Sequence, residues 1–346
     1  GDAKAAKKAK GTDWELPDLF VVDGGRGRIQ MALAAAMKRF AVINPVSGGR
    51  RTGAMMGQIG AALEGALGSI FAARTQGPGD ATRLVAKALD EGYRHIVAIG
   101  GDGTLNEAIN GFFRDGAPIA PDAVFSFAMS GSGGDFRRTF GIEGDLLTAI
   151  RGLAKAAPRR IDLGRVAFHA LDGAETVRHF LNIASFGLPG DVVERVNRAR
   201  IAKWFGGPFA FKWHSTVAAL GLKPWRVRLT VDDGFDEELE FSTVAVCNGR
   251  FFGGGMKIAP DARPDDGLFD VVIVRETKPR AMIARMNDIY AGTHVNHPGV
   301  TVLRGRRVTA TLAPGARPVY AERDGEGGMM LPAVFDILPG ALTLAI

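Results

Sequence analysis

The sequence predicts an α/β unit built on a parallel sheet, followed by an antiparallel β unit. Strand-like and helix-like patterns alternate from residue 38 to about 150, and alternation of this kind implies a parallel sheet covered on both faces. From about Arg160 the texture changes to short β-rich runs separated by turn residues, as in antiparallel sheets. A chain of 346 residues, 46% hydrophobic, is long enough for two cores.

In the first unit, Phe40-Ala-Val-Ile43 reads as a strand and Met55–Leu67 as a helix of small residues. A strand follows near Ser69–Arg74, then a helix at Asp80–Glu91 and a strand at His95–Ile99. A helix at Leu105–Phe113 and a strand at Ala123–Ala128 complete the set. In the second unit, Val227–Val231, Phe241–Val246, Phe269–Val274 and Arg307–Leu312 read as strands. Helical stretches near Asp191–Phe211 and Arg280–Ala291 interrupt them. The expected division is a leader at 1–37, an α/β domain at 38–158, and a β-rich domain at 159–338. A final segment at 339–346 is expected to return to the first domain.

Composition excludes some classes. The single cysteine, Cys247, rules out an internal disulfide and a cysteine-rich zinc site, which suits a reducing cytoplasm. No apolar run approaches the ~20 residues that span a bilayer, and the N-terminus lacks the apolar core of a secretory signal. The six histidines show no metal-ligand spacing. A net charge of +6 fits an anionic membrane surface, a nucleotide or nucleic acid without choosing among them.

The sharpest local signal is Gly100-Gly-Asp-Gly-Thr-Leu-Asn-Glu107. It follows the strand at His95–Ile99 and opens a helix. Glycines there let backbone approach a phosphate, and a helix start offers unpaired N–H groups. Thr104 could cap the helix or bond a phosphate oxygen. Asp102 would repel a phosphate directly, so it needs Mg²⁺ or a backbone donor between them. Two more loops, Asn44-Pro-Val-Ser-Gly-Gly49 and Ser130-Gly-Ser-Gly-Gly-Asp-Phe136, follow neighbouring strands. All three lie at strand C-terminal ends, where open α/β sheets bind ligands.

These loops, with Thr75, Gly79-Asp80-Ala81, Asn248–Gly255, Asp265–Asp270 and Asp324-Gly-Glu326, resemble the diacylglycerol kinase catalytic family in order and spacing. That family includes bacterial lipid kinases and the sphingosine and ceramide kinases. The resemblance runs from Lys38 to the C-terminus. It implies a nucleotide-binding α/β domain, a β-sandwich-like second domain, and a reaction in the cleft between them. It implies that Gly100, Gly101, Asp102, Gly103, Thr104, Leu105 and Asn106 cradle the phosphates of ATP. Asn44, Ser47, Gly48, Thr75, Ser132 and Asp135 fall on the family's other nucleotide contacts. Ser132 stands where the family usually has Thr, and Gly134 where it usually has Asn.

Phosphoryl transfer needs positioning, charge neutralisation and a carboxylate near the attacking hydroxyl. By the resemblance, Glu326 is the general base on a lipid alcohol such as diacylglycerol, with Asp324 and Asp102 as catalytic partners. An isolated Asp-Gly-Glu would otherwise read as a hairpin turn. A catalytic Mg²⁺ is expected at the phosphates, with help from Asp102 and Asp135. A second, structural Mg²⁺ is expected at Asp266 and the backbone of Arg263 and Leu268. Aromatic and basic residues between Arg198 and His214 suit peripheral contact with an anionic membrane, and equally a helix packed on a sheet. No nucleic acid is expected as a partner, and a sheet edge could pair two copies into a homodimer.

Residues 13–36 separately resemble a fragment of the bacterial excision-repair endonuclease, with Asp23 at a metal-binding position; the partner carboxylates a nuclease needs cannot be placed. Two other functions compete with the lipid kinase. An NAD kinase shares the Gly-Gly-Asp-Gly-Thr loop, but Asn44-Pro-Val-Ser-Gly, the Asp135 loop and Asp324-Gly-Glu326 point away from it. A catalytically silent lipid or nucleotide binder is disfavoured because Asp102, Asp135, Asp324 and Glu326 are all present.

Overall fold

The computed structural model describes residues 19–22, 37–130, 134–198, 224–276, 278, 281 and 284–346. A short strand β1 (Leu19–Val22) precedes β2 (Arg39–Ile43). Phe40 and Val42 point to one face of the sheet, and Ala41 and Ile43 to the other. All four are fully buried, because period-2 alternation delivers apolar groups to both faces of a covered strand.

Helices α1 (Arg51–Ala54) and α2 (Met56–Leu67) follow, then β3 (Ile70–Arg74), α3 (Asp80–Asp90) and β4 (His95–Gly100). Next come α4 (Asp102–Asn110), the hairpin β5 (Phe113–Arg114) and β6 (Ala117–Pro118), β7 (Val124–Met129), α5 (Asp135–Thr139) and α6 (Leu146–Gly152). Strands β3, β2, β4 and β7 are parallel neighbours in that order. Ala81, Leu84, Val85 and Ala88 of α3 and Leu105, Ala108 and Ile109 of α4 cover one face. Ile59 and Leu63 of α2 and Leu146 and Ile150 of α6 cover the other. Helix α4 begins at Asp102, three residues before the sequence pattern suggests. Gly101 is its extended N-cap, so Asp102 and Gly103 join the first turn.

The second domain is antiparallel. Its strands are β8 (Pro158–Ala170), β9 (Glu175–Phe180) and β10 (Ile183–Gly187), then, after α7 (Leu188–Arg198), β11 (Trp225–Val231), β12 (Phe235–Phe241) and β13 (Thr243–Cys247). The last are β14 (Phe269–Val274), β15 (Val300–Gly305), β16 (Arg307–Leu312), β17 (Tyr320–Arg323) and β18 (Glu326–Ala345). In β11 the buried Trp225, Val227 and Leu229 alternate with exposed Arg226 and Arg228, the pattern of a sheet with one wet face. The apolar run Phe241–Val246 is two strands. It breaks at Ser242 because β12 pairs with β11, whereas β13 pairs with β10 and β14.

The two domains share one sheet. Strand β18 runs 20 residues, pairs antiparallel with β8 along most of that length, and brings Thr343 and Leu344 into parallel register with Val124 and Phe125 of β7. Strand β1 adds to the far edge, antiparallel to β3, so four leader residues belong to the sheet. The helix read at Asp191–Phe211 starts at Leu188 and is described to Arg198. Residues 199–223 lie outside the described residues, and so does most of the aromatic-basic segment. In the Arg280–Ala291 stretch, the helix described is Met286–Ala291.

Gly164 of β8 illustrates how closely the second core is filled. A Cβ there would lie 2.1 Å from Phe180 Cζ. Phe180 is fully buried and stacked on Phe269, so it has nowhere to go. Gly164→Ala is therefore expected to destabilise the chain by about 1–3 kcal/mol. In urea unfolding the midpoint should fall with the m-value retained; an unchanged midpoint would contradict this packing.

Candidate functional site

The loop after β2 is tied to the glycine loop after β4. Asn44 donates its backbone N–H to Ile99 O at 2.8 Å and its side-chain Nδ2 to Thr104 Oγ1 at 2.9 Å. Thr104 thus serves as an acceptor inside the first turn of α4 and caps nothing. Gly100 must lack a side chain, since a Cβ would lie 2.4 Å from Thr104 Oγ1. Ser47 Oγ donates to Asn44 O at 2.8 Å and shares a hydrogen bond with Thr52.

Around these loops lies a cavity of about 400 Å³ lined by Asn44, Ser47, Gly48, Thr75, Gly101, Gly103 and Thr104, with Glu107 and Glu326 at its far side. The first N–H groups of α4 have no intrahelical partner, so the loop offers donors and a positive dipole end. The structure separates other expected contacts from this cavity. Leu105 is buried in the core behind α4. Asn106 turns toward the second domain, donating Nδ2 to Asp324 Oδ2 at 2.9 Å and to His179 O at 3.2 Å. Ser132 lies outside the described residues, as does Asp23 of the leader.

Asp324 sits in a left-handed conformation, φ 47°, at the turn between β17 and β18. Its carboxylate accepts from the backbone N–H groups of Leu181, Asn182 and Ile183 at 2.9, 3.0 and 3.2 Å, besides Asn106. Burial raises its pKa, and those hydrogen bonds pull it down. With its oxygens committed and no place on the cavity wall, Asp324 positions the turn rather than meeting reactants. Beneath the same turn, Glu322 is buried, accepts from Gly325 N at 2.8 Å and is hydrogen-bonded to Ser185 Oγ. Burial pushes its pKa up to about 7.

The turn delivers Glu326 to the mouth of α4. A Cβ on Gly103 would lie 2.5 Å from Glu326 Oε1, so this glycine makes room for the carboxylate. Glu326 lines this cavity of about 400 Å³ and also a second one of about 710 Å³. Glu326 keeps an exposed surface, yet the protein packed around its carboxylate displaces enough water to raise its pKa; Arg323 opposes this, while Glu107 and Asp324 add to it. Glu107 faces both cavities and accepts from Ala81 N at 3.1 Å. It was legible only as the end of the glycine string, one helical turn after Gly103 on the same face.

Asp102 accepts from Gly134 N at 3.0 Å, a bond that uses the left-handed Gly134 (φ 68°) where the family pattern carries a side-chain amide. Burial, then repulsion from Asp135 and Asp324, raises Asp102 to about 6. Asp135 pairs with Arg138 at 2.6 Å and accepts from Gly254 N of the second domain at 2.8 Å. Among the described residues no three acidic, histidine or cysteine side chains form a metal cluster. A cation on nucleotide phosphates needs only one or two protein carboxylates, and Asp102 beside Asp135 fits that need. In the acidic turn at 263–268, Asp266 accepts from Leu268 N at 3.1 Å and pairs with Arg304.

Glu322 carries a pH consequence. Its folded value is raised from 4.5 to about 7, so across that window the folded chain keeps a proton that the unfolded chain releases. Stability from this group therefore falls as pH rises through the window. Glu322→Gln removes that slope. Relative to the parent chain, the variant should gain up to about 3 kcal/mol between pH ~4.5 and pH ~8 in urea unfolding. Parallel pH profiles would contradict the assignment.

Comparison with known proteins agrees with this division. Residues 38–166 match the family model for the diacylglycerol kinase catalytic domain, and residues 182–346 the YegS C-terminal NAD kinase beta sandwich-like domain. A diacylglycerol kinase of Staphylococcus carnosus (strain TM300) is 29% identical over 85% of this chain and 90% of its own length. One from Bacillus subtilis (strain 168) is 29% identical over 86% and 93%. A crystal structure of a diacylglycerol kinase from Bacillus anthracis str. Sterne shares the fold, with a TM-score of 0.65 and 21% identity over 89% of this chain and 96% of that one. Two domain matches in the same order, and relatives that span nearly the whole chain, make this protein similar to the diacylglycerol kinases across both of its domains.

Proposed function

We propose that the chain transfers the γ-phosphate of ATP to a hydroxyl of diacylglycerol or a similar lipid alcohol, with Glu326 as general base. The observation that carries this reading is that Glu326 lines both cavities of the cleft. One cavity has the phosphate-binding character of glycines, hydroxyls and a helix start, and the other leaves room for an acceptor. Asn44, Ser47, Gly48, Thr75, Gly101, Gly103 and Thr104 would surround the nucleotide, and the amide ends of α4 would meet its phosphates.

A Mg²⁺ ion, when bound with the nucleotide, would neutralise charge on the transferring phosphoryl group. Asp102 and Asp135 would hold it. Glu326 would accept the proton of the lipid hydroxyl at Oε1 or Oε2, and a carboxylate whose pKa is raised takes up a proton more readily than a free one. Among the described residues no helix is long and apolar enough to cross a membrane. The lipid would be met by peripheral contact with an anionic bilayer in the cytoplasm, which the net charge of +6 favours.

Glu326→Gln keeps the shape and removes the base. Turnover in lipid micelles should fall by roughly 10²–10⁴-fold, with ATP affinity by calorimetry nearly unchanged. Full turnover in this variant would remove Glu326 from the mechanism. Asp102→Asn should raise the KM for Mg-ATP by at least about tenfold; normal Mg-ATP use would sink the role given to that carboxylate.

A further inference from the structure

The larger cavity has a wall that the transfer of phosphate to a neutral diglyceride leaves without a purpose. Arg165 of β8, Arg178 and His179 of β9, and Arg323 of β17 converge on it from three strands. Arg165 is already paired with Asp336 at 3.1 Å, which Arg307 shares at 3.0 Å. Arg323 has no such partner. It is mostly enclosed, lies 5.7 Å from the Phe168 ring, and joins no carboxylate by hydrogen bond or ion pair among the described residues. Its Nε is buried without a hydrogen-bond partner among them, and so is Nε2 of His179.

Unpartnered buried polar atoms are uncommon and call for an explanation. Burial first, and then the Arg178 guanidinium, depress the pKa of Arg323, and neighbouring guanidinium groups repel each other. His179 is held neutral by burial and by Arg165 and Arg178, and it stacks on Phe113 at 3.8 Å, so it does not add to that repulsion. Asp115, Glu107 and Glu326 also line this cavity, and Asp324, Glu326 and Glu322 are close enough to Arg323 to raise its pKa. These carboxylates balance the overall charge without occupying the guanidinium donors. An oxyanion on the arginine wall would accept from the guanidinium groups that line the cavity and relieve the repulsion at once.

We propose that this cavity is an anion subsite in which Arg178 and Arg323, flanked by Arg165 and His179, hold the oxygens of a phosphate group carried by a reactant. The proposal rests on the lipid-kinase reading for what the reactant is, though not for whether the site binds phosphate. The phosphate has two sources. An acceptor lipid with a phosphodiester next to its free hydroxyl would be seated with that hydroxyl near Glu326. Alternatively, the phosphate chain of the nucleotide extends past Glu326 into the cavity.

The test uses the full chain with Arg178→Gln and Arg323→Lys. KM is measured for ATP, for diacylglycerol and for phosphatidylglycerol in mixed micelles, and inorganic phosphate is titrated by calorimetry. We expect weaker phosphate binding, by tenfold or more, and a similar rise in one KM. A rise confined to phosphatidylglycerol assigns the site to the lipid phosphodiester, and a rise for ATP with either lipid assigns it to the nucleotide. Unchanged KM values and unchanged phosphate affinity, within twofold in variants with the parental Tm, would overturn the subsite. If the parent chain phosphorylates no lipid, the lipid-kinase reading fails, while the phosphate titration still decides the subsite: a tenfold loss in the variants supports it, and no loss or no phosphate binding overturns it. Should Arg323→Lys fail to fold, Arg178→Gln decides alone.

Discussion

The cleft depends on one buried carboxylate. Asp324 gathers three backbone N–H groups of the β9–β10 connection and the side chain of Asn106 from the nucleotide domain. Four donors on one acid make a strong local cross-link in a low-dielectric setting. Asn106 and Asn110 also hold His179 O, and His179 N donates to Asn110 Oδ1. The junction between the domains and the turn that presents Glu326 are therefore the same structure. If that junction shifted, the carboxylate would shift relative to the start of α4.

The charges in the cleft follow from this geometry. Asp102, Asp324, Glu322 and Glu326 all have raised pKa values, with burial as the first cause. Asp324 and Glu322 are stabilised by donors at fixed positions. Asp102 and Glu326 are less well compensated, and both lie beside the glycine loop. A site that leaves acids partly uncompensated where phosphates and a cation would sit has the character of a functional centre. Such an arrangement costs stability when empty and gains its compensation from reactants.

Much of the scaffold was legible in the sequence. The runs at Phe40–Ile43 and His95–Ile99 are apolar on both faces, so their parallel, covered placement follows from pattern alone. The three loops at strand ends were legible for the same reason, because their positions follow from the topology. What could not be read were partners far apart in the chain. Asn106 and Asp324 are 218 positions apart, and nothing in the Gly100–Glu107 string says that its asparagine faces another domain while its threonine faces an asparagine in the first loop. Leu105 belongs to the phosphate loop by the family resemblance, and helical periodicity sends its side chain to the core. Glu322 and Arg323 lacked any signal beyond their closeness to Asp324, since burial and the absence of a partner are properties of the folded chain. At 263–268 the resemblance implies a cation, and nothing in the local string indicates Arg304, contributed by β15, which pairs with Asp266.

The central claim is that this cleft moves phosphate from ATP to a lipid hydroxyl. The most direct measurement is transfer of label from γ-labelled ATP, with Mg²⁺, to separate lipid alcohols in mixed micelles and to NAD in parallel. The account predicts labelled lipid, with diacylglycerol or a close relative as acceptor, and unlabelled NAD. Label in NAD alone, or label in no acceptor although ATP binds, would contradict it.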